Sequence, residues 1–298
     1  MTLSQNDMGR AFEYSVALAM AERLPADLIP GLQLAVAKEC FKRCSNREQQ
    51  KMVKAAREVA AFLAAHDRNL SDTGCVVRVQ SDRAGQQGDV RDIVVTNRIS
   101  NQEIGISAKN RHYAVKHSRL SEHIDFGTEW FGVPCSSTYF ATVRPIFREL
   151  YARQSRHELW RNIPNKRELF YLPILQAFQT EMRSLFEARP QIVANGIIHY
   201  LLGRFDFYKV IKENGTVSIS SFNLGGSLGW GTRLPIPTSL QITPKPDSDT
   251  TLLMVFNQGW QISFRIHNAS SRVEPSLKFD VAPVGFPSRM SRHSIDYH

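Results

Sequence analysis

The sequence has few cysteines, and this shortage excludes a protein held together by disulfides. Four cysteines are too few for a disulfide framework in a chain of 298 residues. Two of them are one helical turn apart, but no second Cys/His pair lies at zinc-finger spacing to complete four ligands. We therefore expect buried free thiols at all four positions, which are Cys40, Cys44, Cys75 and Cys135.

Long apolar runs are also missing. No stretch approaches the roughly 20 apolar residues that span a bilayer, and the first residues lack the basic and apolar regions of a secretory signal. Hydrophobic residues nevertheless make up 42% of the chain and charged residues 22%, which is typical of a folded globular protein. We expect a folded cytoplasmic protein.

Acidic residues are in deficit. The chain has 37 Lys and Arg against 28 Asp and Glu, a formal net charge of +9. Residues 213–298 hold seven basic and six acidic residues, so almost all of the excess lies in residues 1–212. A basic protein favours polyanionic partners, nucleic acid above all, and we expect most nonspecific attraction to phosphates to come from residues 1–212.

The apolar periodicity predicts helices in the first two thirds of the chain and strands after Gly203. In the first helix Phe12, Val16 and Met20 recur every four residues on one face. Helices are predicted over residues 7–24, with Asp7 as the N-cap, and over 46–65, 139–154 and 166–203, the last with a break at Pro190. Strands are predicted from Cys75, Val90 and Glu103, and six further β-rich runs follow Gly203.

This pattern indicates an α/β (α+β) fold with a mixed sheet flanked by helices. We expect residues 1–204 to form a core with helical insertions and residues 205–298 to form a β-rich region. The candidate disordered segment is the C-terminal tail PSRMSRHSIDYH.

Residues 88–112, GDVRDIVVTNRISNQEIGISAKNRH, predict a hairpin with polar residues on one exposed face. Side chains alternate along a strand, so Ser107 and Lys109 lie opposite a face of apolar residues. A loop over residues 97–102 puts Asp92 directly across from Ser107. Asp92, Ser107 and Lys109 would then converge, whereas Asp89 points the other way.

These residue types suit the hydrolysis of a phosphodiester. Mg²⁺ prefers carboxylate and water oxygens, offsets the charge of a phosphate and lowers the pKa of a bound water. A nearby lysine can orient or help deprotonate that water and offset charge on the phosphorane. On the hairpin alone, Asp92 could equally cap a turn, and Lys109 could be a solvated strand end.

Longer blocks resemble a known family. GDVRDIVV followed by EIGISAK resembles the Asp…(Asp/Glu)-x-Lys hairpin of the PD-(D/E)xK nuclease superfamily. Together with EIGISAKNRHYAVKHSRLS, FDFYK and FRIHNASSRVEPSLKFDV, these blocks resemble the HaeIII-like (HaeIII/NgoPII) type II restriction endonucleases over most of the chain. The resemblance implies a PD-(D/E)xK core and a Mg²⁺-dependent endonuclease that cuts double-stranded DNA at GGCC, with a separate cytosine methyltransferase as partner.

By this resemblance Asp92 binds the metal and Lys109 is the motif lysine. Ser107 departs from the pattern, because it stands where the second acid is usual, and a hydroxyl is a poor substitute for a carboxylate. Glu13 is the first candidate to replace that acid, since related nucleases often present a glutamate from the first helix. Glu103 is the alternative, although four strand residues put it roughly 13 Å from Ser107. A solvated role for Glu13 stays open.

Two groups of residues are candidates for DNA contacts. Those that follow Lys109 could bind phosphates on either side of the cut, or form a solvated basic helix: Arg111, Lys116 and Arg119. His112 and His117 lie in the same segment as further DNA-binding candidates, for which an acid–base role and a structural role are both open. Those in the β-rich third could read base edges, where arginine on guanine is the commonest contact, or only brace the core: Arg265, His267, Asn268 and Arg272, with Lys278 and Arg233 as weaker candidates.

Two other functions are compatible with these residues. A structure-specific repair or recombination nuclease of the same fold would cut without a short recognition sequence. A catalytically inactive DNA-binding protein, which had lost the second acid at Ser107, would bind DNA without cutting it. A palindromic target favours a homodimer, because two-fold symmetry brings one site to each strand, although a monomer that cuts twice is an alternative.

Overall fold

The computed structural model describes residues 3–70, 74–81, 89–111 and 116–298, except for the side chains of Lys116 and His117. The chain divides into two compact units. The first contains Met1–Tyr113, Gly203–Pro235 and Arg289–His298, and the second contains Ala114–Leu202 and Ile236–Ser288. These boundaries differ from the single division near residue 204 expected from composition, because strands from the C-terminal third complete the sheet of the first unit.

Seven α-helices and twelve strands lie within the described residues. In chain order they are α1 (Gln5–Arg23), β1 (Asp27–Leu28), α2 (Leu32–Lys42), α3 (Asn46–His66), β2 (Cys75–Val79), β3 (Ile93–Asn97), β4 (Glu103–Asn110), β5 (Lys116–Leu120), α4 (Phe126–Phe131), α5 (Ser137–Ser155), α6 (Leu172–Ala188), α7 (Pro190–Leu202), β6 (Phe207–Lys212), β7 (Thr216–Phe222), β8 (Leu240–Pro244), β9 (Thr251–Phe256), β10 (Gln261–His267), β11 (Leu277–Gly285) and β12 (Arg292–Asp296).

A mixed seven-stranded sheet forms the first unit, in the order β1-β2-β3-β4-β6-β7-β12. The pairs β1–β2 and β4–β6 are parallel, and the other neighbours are antiparallel. Alternate strand residues pack with the apolar faces of α1 and α3, where Phe12, Val16 and Met20 are fully buried. The predicted α/β fold, a mixed sheet flanked by helices, is confirmed.

The first helix begins earlier than predicted, and its cap is a different residue. Ser4 is the N-cap, and its hydroxyl accepts a hydrogen bond from the backbone N–H of Asp7 at 3.1 Å. Asp7 lies in the first turn, where its carboxylate accepts a hydrogen bond from Ser4 Oγ at 2.9 Å and faces the positive end of the helix dipole. The prediction of Asp7 as the cap was wrong, because serine three residues earlier caps equally well.

Most of the predicted elements are present. The break at Pro190 is confirmed, since α6 ends at Ala188 and α7 starts at the proline, which fits the first turn of a helix. The six β-rich runs after Gly203 form β6 to β11. Helix α2 was not predicted, and β3 starts at Ile93 rather than Val90, so Asp92 lies immediately before the strand.

The C-terminal tail is ordered, so the prediction of disorder was wrong. Strand β12 pairs with β7 through five residues and forms the edge of the first sheet. Tyr297 follows it and is buried, with its hydroxyl donating to the carbonyl of Glu213. Charged and polar residues are common on edge strands, and for that reason the tail composition resembled that of a disordered segment.

The second unit contains an antiparallel sheet in the order β5-β11-β10-β9-β8 and the helices α4 to α7. Its core is aromatic, and Phe178 contacts the rings of Phe126, Phe264 and Phe279. Trp260 is fully buried as well.

Two features concern the cysteines and the apolarity of the helices. All four cysteines are buried thiols that form no disulfide, which confirms the expectation of buried thiols. Within the described ranges, no helix has the length and apolarity needed to cross a bilayer.

Candidate active site

The predicted hairpin register is confirmed. Strands β3 and β4 pair Thr96 with Glu103 and Ile93 with Ile106. The backbone N–H of Asp92 extends this ladder by donating to the carbonyl of Ile106 at 2.9 Å. Asp92 therefore lies beside Ser107 at the point where β3 begins.

The carboxylate of Asp92 is held by three neighbours on β4. Lys109 Nζ lies 2.8 Å from Oδ2 and 3.2 Å from Oδ1. Ser107 Oγ donates to Oδ2 at 3.1 Å, and the backbone N–H of Ala108 donates to the same oxygen at 2.8 Å. The predicted convergence of Asp92, Ser107 and Lys109 is confirmed, and the contacts fix the orientation of the carboxylate.

This face of the sheet is less exposed than predicted. Ser107 is 3% exposed, and the side chains of Asp92 and Lys109 are 20% and 27% exposed. The expectation of an open polar face was wrong: β6 pairs with β4 and brings another buried residue, Lys209, beside Ser107. Partial burial strengthens the electrostatic interactions of these groups, since water screens them less.

Lys109 carries a proton in this arrangement. Burial lowers the pKa of its amine, but the charge and hydrogen bond of Asp92 and the charge of Glu13 outweigh that effect. The pKa of Lys109 is therefore raised above its ordinary value. The amine can donate hydrogen bonds and offset negative charge, whereas it is a poor base in this state.

Glu13 is brought toward this group by α1, which packs on β4. Its carboxylate is close enough to raise the pKa of Lys109. The side-chain amide of Gln5 donates to the carbonyl of Asn110 and so ties the first turn of α1 to the end of β4. The structure therefore places Glu13 near Lys109, while its role as a metal ligand stays a prediction.

Glu103 belongs to a different cluster. Its carboxylate accepts from Arg91 Nη1 at 2.9 Å and lies 3.7 Å from Arg78 Nη2. Asp89 accepts from the same Arg91 through both carboxylate oxygens, each at 2.8 Å. The structure does not bring Glu103 to the carboxylate of Asp92, and it confirms that Asp89 lies apart from Lys109.

Lys209 is a neighbour of the site that the sequence did not reveal. It lies on β6, and the parallel register pairs it with Ser107. The residue is 5% exposed. Burial and the charge of Lys109 lower the pKa of Lys209 to about 7, against the opposing effect of Asp92. A lysine inside the apolar run FDFYKVI indicates an unusual buried charge. The sequence does not show which strand pairs with this run, so it does not place Lys209 at the site.

The acidic residues present fit a magnesium ion with few protein ligands. Among the described residues, no three His, Cys, Asp or Glu side chains are grouped as a metal cage. Asp92 and Glu13 provide two carboxylates, and Ser107 adds a neutral oxygen. Mg²⁺ is usually bound by one or two carboxylates together with waters and substrate phosphates, so this set suits it.

The first group of DNA-binding candidates is only partly described. His112 lies outside the described residues, as do the side chains of Lys116 and His117, whose backbone forms part of β5. Exposed Arg111 donates to the side-chain oxygen of Asn214. Arg119 pairs with Glu274 and donates to Ser276 Oγ at 2.9 Å. Residues 116–120 form a strand, so the alternative of a basic helix was wrong for this segment.

Members of the second group differ in their freedom to reach DNA. Asn268 is a loop-forming residue: its side-chain amide donates to the carbonyls of Ser270 and Arg272, and its Oδ1 accepts from the backbone of Glu274. Exposed Arg272 lines an open cleft of about 450 Å³. Asn268 is therefore poorly placed to read a base.

Asp280 engages two further candidates of the second group. Arg265 Nη2 donates to Asp280 at 2.8 Å, and the Arg265 side chain is 60% exposed. His267 Nε2 lies 3.2 Å from the same carboxylate. Arg265 can exchange this surface partner for another acceptor, because an exposed ion pair contributes little stability.

Comparison with known proteins gives one family and one curated relative. A family model described as HaeIII restriction endonuclease matches residues 9–287. The chain is 35% identical to the type II restriction enzyme HaeIII of Haemophilus aegyptius over 307 aligned positions, which cover 97% of this chain and 96% of that protein. No solved structure matches the chain significantly.

Proposed function

Because this chain belongs to the HaeIII restriction endonuclease family, we propose that it cleaves double-stranded DNA at GGCC with the help of Mg²⁺. The observation that carries the proposal is the contact between Lys109 Nζ and the Asp92 carboxylate beside Ser107. An acid and a lysine on one face of a hairpin are the arrangement that the family resemblance requires. The proposed catalytic residues are Asp92, Lys109, Ser107 and Glu13.

Asp92 and Glu13 are the proposed metal-binding residues. Mg²⁺ bound there would offset the negative charge of the phosphate and lower the pKa of a water. Ser107 Oγ and the Ala108 N–H hold the Asp92 carboxylate in one orientation before DNA binds. This preorganisation lowers the cost of assembling the site around substrate.

Lys109 is the proposed donor to the phosphate. Its raised pKa keeps the amine protonated, and in the free protein the ammonium group donates to Asp92. A phosphate over the site offers a further acceptor, to which the ammonium group can turn. There it would stabilise the negative charge that builds up on phosphorus-bound oxygens during attack by water.

The remaining parts of the proposal concern DNA and partners. Arg111, His112, Lys116, His117 and Arg119 are proposed to contact phosphates; Arg265, His267 and Arg272 are proposed to approach base edges. Arg119 and Arg265 would have to leave Glu274 and Asp280 to do so.

A palindromic GGCC site suits a homodimer that acts in the cytoplasm, beside a separate cytosine methyltransferase that protects host DNA. This assembly and this partner are proposals that follow from the predicted target.

A plasmid digest tests the proposal. The purified protein is incubated with sequenced plasmid in Mg²⁺ and in EDTA, beside the variants Asp92→Ala and Lys109→Ala. The controls are Asp249→Ala and Lys42→Ala, since both native side chains are exposed. We expect discrete fragments that end within GGCC, and we expect them to disappear in EDTA and in the two site variants only.

Three results would contradict the proposal in different ways. Cutting without a common sequence would indicate a structure-specific nuclease. An intact plasmid with a retained gel shift would indicate an inactive DNA-binding protein. Unchanged cleavage by Asp92→Ala would move the site away from this hairpin.

A further inference from the structure

We propose that Lys209 is a second lysine of the candidate active site, which supplies positive charge to the phosphate bound beside Asp92 and Lys109. This inference rests on the proposed function and extends it to a residue on another strand. No part of the PD-(D/E)xK hairpin resemblance predicts it.

The side chain of Lys209 lies on the same face as the site. In the parallel pair β4–β6, Lys209 is in register with Ser107. Its neighbours Tyr208 and Val210 are fully buried in the core on the opposite face, where Lys209 cannot follow because side chains alternate. Lys212, three residues further along β6, has the opposite parity and lies on the core face.

The charges of the site explain what Lys209 contributes. Asp92 and Glu13 bring two negative charges, and Lys109 brings one positive charge. Without Lys209 this set is net negative and repels a phosphodiester. With a protonated Lys209 it is neutral, and an approaching phosphate favours the protonated form of the amine.

Ser107 makes this contribution possible. A carboxylate at position 107 would stand in register with Lys209 across the two strands and would form an ion pair with it. The hydroxyl of Ser107 is neutral and donates to Asp92 instead. The departure from the superfamily motif at Ser107 and the presence of Lys209 therefore shift the charge of the site in the same direction.

When Lys209 is protonated, its burial makes the charge effective at short range. Lys209 is 5% exposed, so little water lies around it to screen its charge. Charges interact more strongly in such surroundings than at a solvated surface. A phosphate over Asp92 and Lys109 would respond to Lys209 more strongly than to a surface lysine at the same distance.

Binding measurements without metal test this inference. Fluorescence anisotropy in EDTA gives the affinity for a GGCC duplex, and for the same duplex with a neutral methylphosphonate at the phosphate that is cut. The proteins are wild type, Lys209→Met, Lys209→Arg and Lys212→Met. The last is a matched control, since it makes the same change to a buried lysine on the other face of the same strand.

We expect Lys209→Met to bind the normal duplex roughly 5- to 30-fold more weakly than wild type, which is equivalent to about 1–2 kcal/mol. The methylphosphonate should remove most of this difference, because its phosphate position carries no charge. Lys209→Arg should retain most of the affinity, and Lys212→Met should match wild type on both duplexes.

Other outcomes identify what is wrong. Equal weakening of both duplexes by Lys209→Met would reveal a purely structural role and overturn the inference, as would no weakening at all. If wild type itself shows no preference for GGCC over a scrambled duplex, the proposed target fails first, and the inference fails with it.

Discussion

Lys109 Nζ lies within hydrogen-bonding distance of both carboxylate oxygens of Asp92, at 2.8 and 3.2 Å. Asp92 immediately precedes β3 and Lys109 lies on β4, and the contact leaves both side chains partly exposed. The acid raises the pKa of the ammonium group, and the ammonium group holds the carboxylate through both of its oxygens. A substitution of either residue is therefore expected to alter the interactions of the other.

Asp92→Asn should abolish cleavage while improving DNA binding in EDTA. The amide keeps the shape of the carboxylate but removes the charge that is proposed to bind metal, so the single-turnover cleavage rate should fall at least roughly 100-fold. The same change removes repulsion of the phosphate, and the affinity measured without metal should rise. Reduced affinity would show that the amide disrupts the hairpin. Asp249→Asn is the control.

Glu13→Gln and Glu103→Gln should separate the two acids considered as metal ligands. Loss of the Glu13 charge should raise the Mg²⁺ concentration required for half-maximal cleavage. Glu103→Gln should leave that concentration unchanged, because its carboxylate serves Arg91 and Arg78.

The same pair of variants should also separate in stability. Glu103→Gln should reduce the free energy of unfolding by about 1 kcal/mol, since Arg91 loses one of its acidic partners while Asp89 remains. Urea unfolding of both variants checks this, and the opposite pattern of metal dependence would assign Glu103 to the site.

Lys212→Met should stabilise the protein and remove part of its pH dependence. Lys212 is fully buried, and within the described residues its Nζ has no hydrogen-bond partner. Burial lowers its pKa below the ordinary value of 10.5, despite the attraction of Glu48 at 3.9 Å. Methionine at this position should raise the free energy of unfolding at neutral pH by about 1 kcal/mol.

The pH dependence has a definite sign. Between the lowered pKa of folded Lys212 and the ordinary value, the unfolded chain binds more protons, so stability increases with pH across that interval. Urea unfolding at several pH values should show this increase in wild type and a smaller one in Lys212→Met. An identical slope in both proteins would mean that Lys212 has the same pKa folded and unfolded.

Asn268→Ala should reduce the stability of the protein, whereas Arg265→Ala should reduce its affinity for DNA. Asn268 makes three hydrogen bonds within its own loop, so its loss should lower the free energy of unfolding by about 1–3 kcal/mol. Arg265 is an exposed surface residue, and its loss should leave stability nearly unchanged while weakening binding to GGCC duplexes if it reads a base. Thermal unfolding and anisotropy on cognate and scrambled duplexes distinguish the two effects.

The hairpin of the site could be predicted because its information is local. A short loop between β3 and β4 and the alternation of apolar residues fix the register that joins Asp92 to Ser107. The neighbours of this face could not be predicted, because they include Lys209 on β6. Parallel partners are joined by long connections, and nothing near Ser107 in the sequence identifies Lys209 as its neighbour.

Other differences have equally specific causes. Composition predicted the strands after Gly203 but not their membership, so β6, β7 and β12 were assigned to a C-terminal region rather than to the sheet of the first unit. The tail was misread because an edge strand requires few apolar residues. Glu103 has a carboxylate, as a metal ligand requires, but the structure shows that this carboxylate forms ion pairs with Arg91 and Arg78.

The pairing of β4 with β6 has a consequence for the newly made protein. About a hundred residues separate the two strands, and Ala114–Leu202 of the second unit lie between them in the chain. After the hairpin has been synthesised, the ribosome must translate this whole segment before Phe207–Lys212 can pair with β4. Fragments that end early carry Asp92 and Lys109 on an unfinished sheet, so translation itself delays the appearance of an enzyme that would be harmful to unprotected DNA.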